Sequence, residues 1–247
     1  MTALDGKRAW ITGGGTGIGA ASAMALANAG AEVFVTGRRE EPLREVCDKI
    51  AAVGGIAYPV AADMADSAAV EAARKEIGQV DILLASAGLN VPTRALSQLT
   101  PKDWDHVTAV NLNGLFYASH AVLPGMRERG DGLIMLVSSW AGRYASRLTG
   151  AAYNATKRAV IALSESINEE EGPHGIRSTV IMPGEVATPI MKSRPKPPSQ
   201  AEMDRMLQPE DLAATVEFVA RMPPHVCLNE ILISPTRNRF YQGFEEL

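Results

Sequence analysis

The chain is poor in the residues that build disulfides, metal sites and membrane spans. Its 247 residues include two cysteines, Cys47 and Cys227, which share no motif and are expected to be free thiols in a reducing compartment. The four histidines lack metal-ligand spacing, so we expect no bound metal. No apolar run approaches membrane-spanning length, and no signal peptide is expected. A cytoplasmic protein without a membrane partner is predicted.

An excess of charge of one sign is also missing. The formal net charge is -4 and 21% of residues are charged, which gives no reason to expect binding to nucleic acid or to an anionic membrane. With 46% apolar residues, the chain has the composition of an ordinary globular protein. Its length suits one large domain with one core, so we expect a single domain over residues 1–247.

Short apolar runs alternate with longer segments of helical periodicity. The predicted strands cover residues 9–11, 32–36, 56–61, 81–85, 132–138, 177–182 and 230–234. The predicted helices cover residues 17–29, 41–52, 67–77, 101–129, 153–171 and 209–221. The strands lack polar alternation, which is typical of strands buried on both faces. Repeated β-α-β order therefore predicts an α/β protein with a doubly wound, seven-stranded parallel sheet covered by helices on both faces.

A glycine-rich segment follows the first predicted strand. From Thr12 to Gly19 the spacing is G-x-x-x-G-x-G, and a helix is predicted to begin near Gly17. Glycines there permit a tight turn and a close approach of a pyrophosphate, and the helix N-terminus supplies free N–H groups. No Gly-Lys-Ser/Thr follows, so a triphosphate-binding loop is not expected.

Two arginines follow the second predicted strand, where dinucleotide folds that bind NAD carry an acid. Arg38 and Arg39 could pair with a ribose 2′-phosphate, which an acid would repel. The sequence therefore predicts NADP(H), with NAD(H) less favoured. The alternative is that both arginines only solvate a helix start and are neutralised by Glu40 and Glu41.

Six motifs in order make the chain resemble the short-chain dehydrogenase/reductase family, in its branch of roughly 250-residue subunits. They are the segment Thr12 to Gly19, Asp63, the run Asn111 to Gly114, Ser139, the pair Tyr153 and Lys157, and Pro183-Gly184 with Thr188. The resemblance implies a Rossmann-fold oxidoreductase that moves a hydride between the cofactor and a carbonyl or secondary alcohol. The cofactor-binding residues that motif and resemblance together predict are Gly13, Gly15, Thr16, Gly17, Ile18, Gly19, Arg38, Arg39, Asp63, Met64, Ala87, Gly88, Tyr153, Lys157, Pro183, Gly184, Val186 and Thr188.

The same resemblance assigns the catalytic roles. Tyr153 would be the general acid/base, and Lys157, four residues on and on the same helix face, would lower its pKa and bind the nicotinamide ribose. Ser139 would hydrogen-bond the substrate oxygen, and Asn111 would hold a proton-relay water. From the residues alone, Asn111 reads as a helix-surface amide. Ser138 is expected to be structural.

The chain departs from the family pattern in two places. Ala85-Ser86-Ala87-Gly88 stands where the family has Asn-Asn-Ala-Gly, so we expect a site that is kept but less braced. The separation of Ser139 and Tyr153 is fourteen residues, about one more than is common in the family, which should reshape the pocket between them.

The substrate pocket is expected beside the nicotinamide, at the carboxyl ends of the strands. The residues predicted to line it are Asn90, Ser139, Trp140, Arg143, Tyr144, Tyr153 and Glu185. Arg94, Arg143 and Arg147 suggest that an arginine holds an anionic group of a small substrate, unless these arginines lie on the outer surface or at a subunit contact. Residues 189–208 are rich in proline and are predicted to form a mobile substrate lid.

Many members of the family are homotetramers, so the resemblance favours a homotetramer, with a dimer as the alternative. Small side chains on the Tyr153 helix, among them Ala155 and Ala162, would permit close approach of a second copy, unless they pack on the subunit's own sheet. The aromatic tail with Phe240, Tyr241 and Phe244 is expected to dock on a neighbour or fold back.

Two other functions compete with the oxidoreductase. A non-catalytic NADP(H)-binding sensor would have no reason to keep Asn111, Ser139, Tyr153 and Lys157 together. A sugar-nucleotide epimerase or dehydratase of the longer branch would need roughly a hundred more residues and a different glycine spacing.

Overall fold

The computed structural model describes residues 4–241. Seven parallel strands form one sheet in the order β3-β2-β1-β4-β5-β6-β7. The strands are β1 Arg8–Thr12, β2 Glu32–Gly37, β3 Ile56–Ala61, β4 Ile82–Ala85, β5 Gly132–Val137, β6 Ile176–Pro183 and β7 Glu230–Ile233. The predicted α/β class and all seven predicted strands are confirmed, with ends that differ by at most one residue.

Nine α-helices connect or cover the described strands. They are α1 Gly17–Asn28, α2 Glu40–Ala52, α3 Ser67–Ile77, α4 Pro101–Thr108, α5 Gly114–Arg129, α6 Trp140–Arg143, α7 Ala151–Glu171, α8 Gln200–Met203 and α9 Pro209–Ala220. The prediction of one continuous α-helix over residues 101–129 is wrong in one respect, because a π-helical segment, Ala109–Asn113, separates α4 from α5. The short helices α6 and α8 were not predicted, since four residues carry too little periodicity to recognise.

Local capping explains several helix starts. The Asp66 side chain accepts hydrogen bonds from the backbone N–H groups of Ala68 and Ala69 and so begins α3. Thr100 accepts from the N–H of Asp103 and is followed by Pro101, which has no N–H to satisfy at the first helical position. These starts could be recognised in the sequence because the capping residues act over three or four positions.

Two apolar layers hold helices to the two faces of the sheet. On one face, Leu26 of α1, Ile50 of α2 and Val216 of α9 pack in a cluster with strand residues such as Ile11 and Val35. On the other face, the cluster joins β1, β4 and β5 to α3, α5 and α7; its fully buried members include Trp10, Leu83, Leu115, Ile134 and Val160. Strands with apolar helices on both faces carry no polar alternation, which is the pattern seen in the sequence.

The strand order reverses direction between β1 and β4. After β3 the chain crosses back to place β4 beside β1, so the loops after these two strands separate and leave a crevice at the carboxyl edge. In open α/β sheets this crevice is where ligands bind. The glycine-rich segment leaves β1 at this edge, and Ser86 to Gly88 leave β4 beside it.

Candidate active site

The glycine-rich turn is packed too tightly for side chains at two positions. Gly13 has φ +67°, and a Cβ there would lie 2.9 Å from the backbone of Ala87. A Cβ on Gly19 would lie 2.3 Å from the carbonyl oxygen of Gly13. Helix α1 begins at Gly17, and the side chain of its N-cap residue, Thr16, makes no capping hydrogen bond, so first-turn N–H groups are left for a ligand.

A serine braces the turn where the family has asparagine. The Ser86 hydroxyl donates to the carbonyl oxygen of Thr12 at 2.7 Å, and the Thr12 hydroxyl accepts from the N–H of Ala87 at 3.2 Å. The ends of β1 and β4 are thus joined by two side-chain hydrogen bonds. The expected loss of bracing is offset in this way by Ser86.

Tyr153 and Lys157 lie on one face of α7, directed at the end of β5. The Lys157 amine is buried, donates to the carbonyl oxygen of Val137 at 2.8 Å, and lies 5.6 Å from the centre of the Tyr153 ring. The Ser139 side chain hydrogen-bonds the Tyr153 hydroxyl and accepts from the N–H of Ala141 at 3.1 Å. Three of the predicted catalytic side chains are therefore in one cluster.

Burial sets the protonation of this cluster. Burial raises the pKa of Tyr153, although the hydrogen bond of Ser139 and the charges of Arg194 and Arg94 act in the lowering direction. Burial lowers the pKa of Lys157 from 10.5 to about 8. Desolvation of the phenolate thus outweighs the charges that act on it, and the lowering of the Tyr153 pKa by Lys157 stays a prediction.

Asn111 is fully buried within the π-helical segment, so the alternative of a surface amide is wrong. Its side-chain oxygen accepts from the N–H of Leu89 at 2.8 Å, and its side-chain nitrogen donates to the carbonyl oxygen of Leu89 at 2.9 Å. The amide therefore fixes the chain that leaves β4. A Cβ on Gly88 would come within 3.4 Å of the Lys157 nitrogen and 3.5 Å of the Asn111 oxygen, so the two side chains meet beside Gly88.

Helix α6 packs against α7, the helix that carries Tyr153 and Lys157. Ser138 is buried and its hydroxyl donates to the Lys157 carbonyl oxygen at 2.6 Å, as its expected structural role requires. A Cβ on Gly142 would lie 2.5 Å from the same carbonyl oxygen. Backbone contact at Gly142 therefore sets the position of α6, and with it the position of Ser139.

Two adjoining cavities form a groove along the carboxyl edge of the sheet. The first has a volume of about 200 Å³ and contains Ser139, Tyr153 and Lys157. The second has a volume of about 160 Å³ and contains Arg38, Arg39 and Asp63. Gly13, Thr16 and Gly88 line both cavities, so the two meet at the glycine-rich turn. The other predicted cofactor residues line one or the other: Gly15, Gly17, Ile18, Gly19, Met64, Ala87, Pro183, Gly184, Val186 and Thr188.

The arginine end of the groove is open to solvent. Arg38 and Arg39 are exposed, and Glu40 hydrogen-bonds Arg44 instead of either of them. Asp63 accepts from the N–H of Ala65 at 3.0 Å. Because Glu40 pairs with Arg44, it does not neutralise Arg38 or Arg39. Of the two acids in the alternative explanation, Glu41 is the one that is left.

The substrate-pocket prediction is only partly matched. Of the seven residues, Ser139 and Tyr153 line the groove. Asn90 instead donates to the Thr149 carbonyl oxygen, Trp140 is buried in an aromatic cluster with Tyr144, Phe240 and Tyr241, and Arg143 pairs with Glu230 at 3.6 Å. Apart from the contact of Trp140 with Tyr144, these contacts join residues distant in the chain, and no local pattern predicts them. Phe240 and Tyr241 fold back on the subunit, whereas Phe244 lies outside the described residues.

Glu185, the remaining predicted pocket residue, is buried in an ionic cluster. Arg239 donates to its two carboxylate oxygens at 2.6 and 2.7 Å, and Arg194 pairs with one of them. Arg239 also pairs with Glu202 at 2.7 Å. The pKa of Glu185 is lowered because the two arginines outweigh the effect of burial. The cluster, here called the Glu185 cluster, joins β6, residues 189–208 and the C-terminal segment.

Residues 189–208 are more structured than a plain loop. A 3-10 helix, Pro189–Ser193, and α8 lie within them, and Met191, Met206 and Leu207 are buried. Ile190 and Met191 line the first cavity. These two apolar residues and Arg194 were not among the predicted pocket residues; the run of prolines obscured them.

Comparison with known proteins identifies the family of the chain. The family model for short chain dehydrogenase matches residues 7–198. The chain belongs to the short-chain dehydrogenase family. It is 38% identical over 229 residues to the short-chain reductase protein NovJ of Streptomyces niveus, with 86% of each chain covered.

Other short-chain dehydrogenases share the fold. A metagenomic short-chain oxidoreductase solved in complex with NADP has a TM-score of 0.82 and 32% identity, covering 95% of this chain and 99% of that one. A 3-oxoacyl-[acyl-carrier protein] reductase from Brucella melitensis, solved with bound NAD, has a TM-score of 0.84 and 29% identity, covering 94% and 90%. The glycine betaine reductase ATRR of Emericella nidulans is 35% identical over 241 residues, which are 94% of this chain but span only 19% of that protein.

This short-chain dehydrogenase is thus an oxidoreductase with a nucleotide-binding Rossmann fold. Within residues 4–241, none of the helices combines the length and apolarity that crossing a membrane requires.

Proposed function

We propose that the protein is an NADP(H)-dependent oxidoreductase that interconverts a carbonyl compound and a secondary alcohol. The observation that carries the proposal is that Tyr153, Lys157 and Ser139 line the same groove as the glycine-rich turn. NADP(H), when bound, would supply or accept the hydride. The residues that suit its pyrophosphate are those at the start of α1, where free N–H groups and the helix dipole favour an anion.

Tyr153 would move the proton. Because burial raises the pKa of its phenol, the hydroxyl is protonated near neutral pH and is ready to donate to a carbonyl oxygen in the reducing direction. Ser139, which already hydrogen-bonds Tyr153, would hold that oxygen and stabilise negative charge as it develops there. In the oxidising direction the phenol would have to lose its proton, which a nearby positive charge favours.

Lys157 and Asn111 would assist Tyr153 in moving the proton. The Lys157 amine, with its pKa lowered to about 8, can exchange a proton close to physiological pH, and it lies within the groove where a ribose would bind. The Asn111 side chain bonds both the N–H and the carbonyl oxygen of Leu89, so it would fix the position of Gly88 relative to the Lys157 amine. In this proposal it is a positioning residue, and any proton-relay water would lie beside it.

Arg38 and Arg39 support NADP(H) over NAD(H). Both line the second cavity, where the end of β2 has no acid of its own, and a guanidinium pairs bidentately with a phosphate. Asp63, which also lines that cavity, would contact the adenine. The solved relative with bound NAD shows that the fold also accepts the other nucleotide, so the preference depends on these two side chains.

The reaction is tested with purified protein, a panel of ketones and secondary alcohols, and the absorbance of reduced cofactor. Tyr153→Phe should lower kcat by at least ~100-fold while NADPH affinity stays within about twofold, because only the proton donor is lost. Tyr58→Phe is the matched control, since Tyr58 lies on the edge strand β3, stacked on Phe34. Wild-type turnover in Tyr153→Phe would overturn the mechanism, and nucleotide binding without turnover of any compound would favour the sensor.

The cofactor preference is tested with the double variant Arg38→Gln, Arg39→Gln. Loss of charge-assisted hydrogen bonds to a phosphate should raise the KM for NADPH about 10-fold to 100-fold and leave the KM for NADH nearly unchanged. Arg44→Gln, on the helix α2 that follows these two arginines and paired with Glu40, is the control and should behave as wild type. A wild-type kcat/KM that is higher with NADH would refute the preference.

We also propose a cytoplasmic homotetramer, with the outer faces of α5 and α7 as the contact between copies. Ala155, Ala162 and Ser166 on α7 are exposed and Phe116 on α5 is 46% exposed, which supports this contact, whereas Leu163 on α7 packs in part against the subunit's own core. A copy seated there would cover apolar surface that is otherwise in water. Light scattering should give the mass of four chains, and of fewer chains for Phe116→Arg; the mass of one wild-type chain would refute the assembly.

A further inference from the structure

A third and larger cavity opens next to the start of the catalytic helix. Its volume is about 1140 Å³. Three segments form its walls: residues 92–98, residues 145–151 and residues 194–196. Ala151 and Asn154 of α7 also line it, so the cavity begins one residue from Tyr153 in the chain. Of the three arginines that the sequence suggested for an anionic group of the substrate, Arg94 and Arg147 line this cavity.

The charge of the lining is of one sign. Arg94, Arg147, Arg194 and Lys196 line the cavity, and no Asp or Glu occurs among the described residues of its wall. Arg194 faces Glu185, which lies outside the lining and is shared with Arg239. Four cations around one cavity repel each other, and an anion between them would turn that repulsion into attraction.

Two of the cations are held rigidly below the surface. Arg94 is 8% exposed; its Nε donates to the Val91 carbonyl oxygen at 2.7 Å and its Nη1 to the Leu148 carbonyl oxygen at 3.0 Å. The Arg194 side chain is 7% exposed and is fixed by Glu185. Arg147 and Lys196 are exposed at the rim. Positive charge is therefore present both below the surface and at the rim of the cavity.

The buried pair acts on the reacting group. The charges of Arg194 and Arg94 both act to lower the pKa of Tyr153, which means that both lie near the phenol. Burial and the charge of Arg194 also lower the pKa of Arg94. Desolvation and repulsion destabilise the charged form of this guanidinium. An anionic partner therefore stabilises it more than it would stabilise a guanidinium in water.

The rest of the wall is largely apolar. Pro92, Ala95, Leu96 and Leu148 alternate with the cations, and Leu96 is 76% exposed. An exposed leucine beside a cavity of this size is surface that a ligand would cover. The wall therefore suits a molecule with an apolar body and an anionic end.

We infer that this cavity binds an oxyanion group of the substrate, so that the enzyme acts on carbonyl compounds that carry a carboxylate or phosphate several atoms from the carbonyl. The inference rests on the proposed reaction at Tyr153. It assigns Arg147 and Lys196 to capture of the anion, and Arg94 and Arg194 to its fixed site. Arg143, which pairs with Glu230, has no part in it.

The test compares matched charged and neutral substrates with NADPH. One arm uses methyl ketones with a terminal carboxylate, from 4-oxopentanoate to 8-oxononanoate, against their methyl esters. A second arm uses dihydroxyacetone phosphate against dihydroxyacetone, which separates carboxylate from phosphate as the anion. At the best chain length, kcat/KM for the acid should exceed that for the ester by about tenfold or more.

The double variant Arg147→Gln, Lys196→Gln should remove most of this preference. Its kcat/KM for the acid should fall about 10-fold to 100-fold, while that for the ester stays within about twofold. The matched control is Lys192→Gln, Arg205→Gln, which removes two exposed charges from the same segment without touching the cavity wall, and it should keep the preference.

Binding is measured separately from turnover. Calorimetric titration of the best acid into Tyr153→Phe saturated with NADP should show binding that the double variant lacks. Equal kcat/KM for acids and esters would overturn the anion site and leave the proposed reaction intact. A preference that survives the double variant would overturn the assignment of Arg147 and Lys196 to capture of the anion. Absence of turnover for every compound in the panel would refute the proposed reaction, and with it the inference.

Discussion

Replacing Lys157 by methionine should make the protein more stable near pH 7 and nearly inactive. The Lys157 amine is 3% exposed and its pKa is lowered from 10.5 to about 8 by burial. The folded protein therefore holds this proton less tightly than the unfolded chain does. Below pH 8 the folded state bears the full cost of a buried ammonium, and that cost fades as the pH rises from 8 to 10.5.

The size of the effect follows from the two pKa values. The interval between 10.5 and about 8 corresponds to about 3 kcal/mol at 1.36 kcal/mol per pH unit. Methionine also loses the hydrogen bond to the Val137 carbonyl oxygen, which costs about 1 kcal/mol. Lys157→Met should therefore stabilise the protein by about 2 kcal/mol at pH 7, which raises Tm by roughly 4–8 °C for a chain of this length.

The assay is thermal and urea unfolding of wild type and Lys157→Met between pH 6 and pH 10, with turnover measured in parallel. The stability difference should be largest below pH 8 and should shrink toward pH 10, while kcat is at least ~100-fold lower throughout. Lys102→Met, on the exposed first turn of α4, is the control and should leave stability and activity close to wild type. A variant that is less stable at pH 7, or a difference that does not change with pH, would refute the reasoning.

Three further substitutions probe the supports of the groove. Glu185→Gln should lower the free energy of unfolding by about 3 kcal/mol at pH 7, because it leaves buried arginines without their carboxylate. Since the pKa of Glu185 is lowered in the fold, the deficit measured by urea unfolding should disappear as the pH falls below about 4. A deficit that is constant with pH would contradict this. Gly142→Ala should cost about 1–3 kcal/mol and reduce kcat, whereas Gly125→Ala, whose added methyl would meet only the end of a flexible arginine, should keep full activity; equal effects of the two would refute the role of the α6 contact. Asn111→Ala should increase hydrogen exchange at Leu89 and lower kcat more than it raises KM, and an unchanged exchange rate at Leu89 would exclude the positioning role.

The architecture could be predicted because its signals are local. A short apolar run indicates each strand, and capping residues such as Asp66 and Thr100 mark helix starts within a few positions. The interruption at Ala109–Asn113 could not be predicted, since a π-helical segment changes the hydrogen bonding of the backbone without a change in residue type. Helix α8 was missed for a similar reason, because its capping box at Ser199 follows a run of prolines.

The groove was predictable and the substrate side was not. The predicted cofactor residues come from short motifs at the carboxyl ends of strands, and a parallel sheet brings those ends together whatever lies between them. The partners of Glu185 come from residues 194 and 239, and no local pattern links these positions. The direction of the Tyr153 pKa also depends on how much water the fold excludes, and spacing in the sequence carries no information on that.

The backbone contact at Gly142 limits where this enzyme can be altered. Ser138 and Gly142, on either side of Ser139, both contact the Lys157 carbonyl oxygen, so an insertion between them would displace Ser139 from Tyr153. The thirteen residues between Ser139 and Tyr153 must then take up their additional length beyond Gly142, where Tyr144, Ala145 and Arg147 are exposed. That stretch is the place at which a loop from a relative could be grafted to change substrate selection while the chemical machinery stays as it is.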